Sequence, residues 1–239
     1  MKRMPFILLS AVLIAGAVGG QVFLRSVRSE SAPVWAEGAF AALGGFRSIA
    51  AEVVWFRADR LQEEGRYVEL AQLADVLTFL EPHTPEVWSY AAWNLSYNIS
   101  VMMATHEDRW RWVMAGLRLL RDRGLVLNPT SSELYRELAW LFELKLGANI
   151  DAASALYREK WKAIVEDVRA RGAWEELRMD PGEMARVTQA TGFDDWTDPQ
   201  LSAIYWAAKG GAADIVQQAT VLYRRTHPDA GRQPPAADR

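Results

Sequence analysis

Cysteine is absent from the 239 residues, which removes disulfides, thiolate zinc sites, iron–sulfur clusters, a lipidated N-terminal cysteine and a cysteine nucleophile. Histidine is scarce: His83, His106 and His227 stand far apart and leave little material for a metal centre. Neither sign of charge prevails, with 27 Lys plus Arg against 30 Asp plus Glu and a formal net charge of -3. A dedicated nucleic-acid binder carries a basic excess that this chain lacks. Strand signals are missing as well: no run alternates β-branched with polar residues, and no Asn-Gly marks a hairpin.

What is present is apolar and aromatic. Half the residues are hydrophobic, enough for a packed core, and 11 are tryptophan. Behind Lys2 and Arg3 the chain is uncharged from Pro5 to Leu24. In a helix about 20 such residues, at ~1.5 Å each, match a hydrocarbon core of ~30 Å. The run is therefore expected to anchor the chain in a membrane. Ala15-Gly16-Ala17 also fits the cleavage site of a signal peptide, although the continuation Val22-Phe23-Leu24 favours the anchor. Arg25 and Arg28 after the run weaken the positive-inside signal, yet both readings put the body outside the cytoplasm, in the periplasm or beyond.

The body reads as helix throughout, an all-α class. Helices are expected over 46–64, 67–80, 85–97, 108–123 and 132–146, the last with Ser132 as its cap. The next has Ala153, Tyr157, Trp161, Ile164 and Val168 as a clean stripe. Asp180-Pro181-Gly182-Glu183 and Asp198-Pro199 are helix starts, Gly210-Gly211 is a stop, and a last helix covers 212–226. The chain thus divides into an anchor and linker over 1–32, helical repeats over 33–172, a helical extension over 173–226 and a polar, disordered tail over 227–239.

A period runs through the repeats. Leu80-Glu81-Pro82 returns as Leu127-Asn128-Pro129, and Trp88, Ala91, Ala92 and Leu95 return as Tyr135, Leu138, Ala139 and Phe142, at a constant offset of 47 residues. In the unit before them Val54, Ala58, Leu61, Gly65, Tyr67, Leu70, Ala74, Leu77, Leu80 and Pro82 fall on a template of roughly 34 residues. This pattern resembles the tetratricopeptide repeat, with Gly65-Arg66-Tyr67 where that family places its inter-helix glycine and aromatic. The second unit is longer than the template by an excess around Ser96–Asp108, and the third loses its closing proline. In overall layout the chain is also similar to bacterial envelope proteins. The resemblance implies a solenoid of helix-turn-helix units whose first helices line a concave face.

Chemistry-bearing clusters are few. Asp194, Asp195 and Asp198 lack the ordered oxygens and turning glycine of a calcium loop, and Asp198 serves better as a cap. Glu63-Glu64 and Glu175-Glu176 are adjacent helical residues and point apart. Gly44-Gly45 and Gly210-Gly211 lack the lysine of a phosphate loop. The arginine-rich stretch Asp108–Arg123 reads as an amphipathic helix with Trp110 inward. No catalytic residue, metal or cofactor is expected, nor a nucleic-acid or small-molecule partner. Tyr90, Trp93, Asn94 and Tyr97 are offset from the packing stripe of Trp88 and Ala91 and form the candidate partner groove. The expected role is a membrane-anchored scaffold that binds a protein subunit or peptide segment in an envelope complex. The alternative is a structural subunit whose aromatic surfaces are buried in a large membrane assembly.

Overall fold

The computed structural model describes residues 44–229. The apolar run 5–24, the linker to residue 32 and the tail beyond residue 229 lie outside the described residues. Two compact units divide between Glu52 and Val53, inside the first described helix, and the second unit holds every described helix after it.

Among the described residues every regular element is helical. Helix α1 is Gly44–Glu63 and α2 is Tyr67–Leu80. Gly65 joins them at φ +70, a left-handed position where a residue without Cβ costs least. Helix α3 covers 85–102 and opens with Pro85 in its first turn, where the missing N–H is no loss. Helix α4 covers 106–127 and α5 covers 132–147. The excess around Ser96–Asp108 is thus taken up by lengthening α3 and starting α4 early. Thr105 caps α4 by accepting the Asp108 N–H, and Ser131, one residue before the expected Ser132, caps α5 by accepting the Leu134 N–H. Helix α6 is Ser154–Arg171, closed by Gly172 at φ +68. A 3-10 turn, Trp174–Leu177, leads to α7 (Pro181–Thr191), α8 (Pro199–Lys209) and α9 (Ala213–Thr226). Asp180 and Asp198 cap α7 and α8 through the N–H groups of Glu183 and Gln200.

Three of these helices contain a turn of π-helix: Asn94–Ile99 in α3, Leu119–Gly124 in α4 and Leu141–Gly147 in α5. The π turns of α3 and α5 begin at Asn94 and Leu141, at the same 47-residue offset that relates Trp88 to Tyr135. The repeat seen in the residue types is therefore also a repeat of backbone irregularity. Each π turn adds a residue to its turn and shifts the phase of the side chains beyond it.

Successive turns are stitched by polar contacts. The Pro82 carbonyl accepts the Trp88 indole N–H at 2.9 Å and the Asn128 amide at 2.8 Å, tying Leu80-Glu81-Pro82 to its counterpart Leu127-Asn128-Pro129. Helix α2 packs on α3, α3 on α4 and on α5, and α5 on α8. A small cluster of Ala58, Leu61, Leu70, Leu77 and Val87 sits between the first helices. One larger cluster runs from Ala74 to Tyr223, so the helices after α2 share a core. Its centre is α8, where every residue from Pro199 to Ala207 is buried, against α5 on one side and α9 on another. Trp88, Trp161 and Trp206 are fully enclosed, and burying such a side chain is worth about 1.5–3 kcal/mol.

Candidate functional site

The four residues singled out on α3 part into two pairs. Tyr90 faces α1: its hydroxyl donates to Gln62 Oε1 at 2.8 Å and its ring meets Trp55 edge-on at 5.1 Å. Burial, with the charge of Asp59 and the neighbouring Tyr67, pushes its phenol up to about 12. Asn94, at the first position of the π turn, is 1% exposed. Its amide donates to the Tyr67 carbonyl of α2 at 3.3 Å, and its oxygen accepts from Asn98 at 3.3 Å. Both residues brace α3 against the preceding helices.

Trp93 and Tyr97 form the other pair. One helical turn apart, their rings stack with centroids 4.1 Å apart and planes at 21°. Trp93 is 46% exposed, whereas Tyr97 packs on the main core and its buried hydroxyl has no hydrogen-bond partner among the described residues. Burial, then the charges of Glu137 and Glu143 on α5, push the Tyr97 phenol far up. The Lys145 ammonium lies 5.1 Å from the centre of the same ring, a cation–π arrangement. A solvent-facing indole thus rests on a tyrosine fixed from behind by α5.

Behind this pair lies a polar cluster. Lys145 Nζ meets Asp151 Oδ2 at 2.6 Å. The Asp151 carboxylate also takes Arg109 of α4 at 3.3 Å, the Tyr157 hydroxyl of α6 at 3.3 Å and the Ala153 N–H at 2.9 Å. Burial drives this carboxyl upward, but the Lys145 ammonium, the Ala153 N–H and Arg109 outweigh it and hold it below the usual range. Asp151 is therefore a clamp on three helices. Glu143 is fully buried, and among the described residues neither oxygen has a hydrogen bond of normal length. Burial pushes its carboxyl up, with only the nearby Gln218 amide working the other way. Glu137 is raised too, by burial and by Glu133.

Sequence reasoning did not find the clamp. The one signal was Lys145 falling on the apolar stripe of Leu134, Leu138 and Leu141. Elsewhere, Asp195 is spent on the N–H and hydroxyl of Thr197, and Asp198 faces His227 at 3.4 Å. Among the described residues no three His, Asp or Glu side chains gather as a metal site. Among them, too, no helix is long and apolar enough to cross a membrane. No protein-family model, curated protein or solved structure matches the chain.

Proposed function

We propose that this chain is a membrane-anchored, tetratricopeptide-like scaffold. It holds another protein subunit, or a peptide segment of one, in an envelope complex, with its body outside the cytoplasm and no bond-making of its own. The repeat reading is supported by the shared offset of residue types and π turns in α3 and α5. Recognition is carried by a single observation: Trp93 is 46% exposed and stacked on a tyrosine that α5 holds in place. A large, pre-positioned aromatic loses little freedom on binding and is a frequent interface anchor. A membrane tether adds to this by raising the local concentration of a partner in the same membrane.

The test is co-purification from gently solubilised membranes with the exposed Trp93 alone changed to alanine. Partner capture is expected to fall while the helical circular dichroism and melting temperature hold. Unchanged capture by Trp93→Ala would overturn the reading, and unfolding of that variant would assign the indole to the core instead. A second reading, a structural subunit of a larger assembly, draws on Val68, Val76, Val101, Met102 and Val126, each at least 40% exposed. Under that reading the fragment 33–239 aggregates by itself, whereas a scaffold's body is a soluble monomer.

A further inference from the structure

Trp93 is open to solvent and stacked on Tyr97, and the groups around this pair can be followed from helix to helix. Ser89, one turn before Trp93 on α3, donates its hydroxyl to Glu133 Oε1 of α5 at 3.1 Å. Glu137 follows Glu133 by one turn, as Trp93 follows Ser89, so the indole and the Glu137 carboxylate border the same furrow between α3 and α5. Tyr97, a turn further along α3, feels the charges of both Glu137 and Glu143. Glu133 and Glu137 are half-buried and keep surface of their own.

The charge there is acidic on balance. Burial raises the Glu137 carboxyl most, the like charge of Glu133 raises it further, and Arg136 beside it on α5 offsets less than either. On the other flank of α3, Asp59 of α1 is close enough to act on the Tyr90 phenol. Among the described residues none of Asp59, Glu133 and Glu137 stands in an ion pair. The other bases nearby are spent or turned away. Lys145 is given to Asp151 at 2.6 Å, and Arg60 and Arg66 pair with Glu64. Arg57 is two positions from both Trp55 and Asp59, which puts it on the opposite side of α1. Glu143, fully buried behind Tyr97, adds a further acid whose oxygens find no normal hydrogen bond among the described residues. Unpaired carboxylates beside an open indole face, whose ring quadrupole is negative, form a surface that suits a cation.

We infer that the segment held on this face is cationic: a stretch of protein chain carrying lysine or arginine, its charged head on the open side of the Trp93 ring and paired with Glu133 and Glu137. The inference rests on the scaffold reading above and names the chemistry of its partner. Contact is asked only of groups that have surface, Trp93, Glu133 and Glu137. Tyr97 holds the indole from behind, and Glu143 is enclosed and touches nothing of the partner. An anionic segment would meet like charge on this face, and an apolar one would bury the carboxylates unpaired.

The test is a fluorescence-polarisation titration of the full chain, solubilised in an uncharged detergent at physiological salt. The probes are a short fluorescein-labelled peptide of alternating alanine and lysine and its counterparts with glutamine or glutamate in place of lysine. The lysine peptide is expected to bind at least about tenfold tighter than the glutamine peptide, and the glutamate peptide weakest of all. Glu133→Gln and Glu137→Gln together should weaken the lysine peptide about tenfold, and Trp93→Ala two- to fivefold, roughly the worth of two exposed ion pairs and one exposed cation–π contact. The Glu137 carboxyl is already raised by burial, so the paired glutamine variant should melt no lower than the parent. Glu159→Gln with Glu166→Gln, which removes as much charge from the exposed side of α6, should bind like the parent. Equal binding of the glutamine peptide, an equal loss in the α6 variant, or unchanged affinity in either the Glu133/Glu137 variant or Trp93→Ala would overturn the proposal. If these arms fail while Trp93→Ala still loses partner capture in the co-purification, the cationic partner falls and the scaffold reading stands.

Discussion

The Lys145 ammonium and the Asp151 carboxylate meet at 2.6 Å with each side chain only 3% exposed, joining the end of α5 to the turn that starts α6. Arg109 and Tyr157 share the same carboxylate. This arrangement makes Asp151 far more consequential than its place in a short loop suggests.

Asp151→Ala leaves Lys145 buried without its counter-charge, and breaking a buried pair from one side costs about 3–5 kcal/mol. Chemical denaturation should show a loss of that order. Lys145→Met should cost less, because Arg109, Tyr157 and the Ala153 N–H still serve the carboxylate. The folded carboxyl is held below its unfolded value, so its contribution is complete above about pH 4 and fades as pH falls through the folded value. The acid-unfolding curve of Asp151→Ala should be shallower below that point than that of the parent.

Glu143 has the opposite sign. Burial raises its carboxyl, so above the ordinary carboxyl range the folded state keeps its proton more readily than the unfolded state does. Its effect is therefore harmless near pH 4 and becomes a penalty as pH climbs past the ordinary carboxyl range. Glu143→Gln should stabilise the fold at pH 7, and the gain should shrink toward pH 4. Thermal melts across that range check it, and a gain that grew on acidification would contradict the role given to burial.

Gly116 marks a close approach of α4 to α3. A Cβ there would lie 2.0 Å from Ser96 Oγ and 2.7 Å from the Ala92 carbonyl oxygen. Gly116→Ala should destabilise by at least about 1–3 kcal/mol, the usual cost of overpacking. Adding Ser96→Ala should recover only part of it, because the Ala92 carbonyl is backbone and cannot rotate away. Full recovery in the double variant would mean that the helices slide apart easily.

Much of the helical punctuation was legible. Asp180-Pro181-Gly182-Glu183 and Asp198-Pro199 are local signals that need no distant partner, and both start helices as expected. Ser131 rather than Ser132 caps α5, a choice between adjacent serines that the backbone angle of the turn decides. The π turns were not legible, because apolar spacing reports a face and not which carbonyl each N–H reaches. Of the candidate groove, composition pointed to aromatics beside an amide. It could not say that Asn94 turns inward to the Tyr67 carbonyl while Trp93, its neighbour in sequence, turns to solvent.

Residue order alone determined that the body is helical, where several helices start and stop, and that one pattern returns 47 residues on. These depend on caps, prolines and apolar spacing within a few residues of each other. Only the tertiary structure decided that Lys145 finds Asp151, that Tyr97 is wedged behind Trp93, and that α8 lies at the centre of the core. The physical reason is that burial and charge pairing belong to the space between helices, and the groups filling that space come from far along the chain.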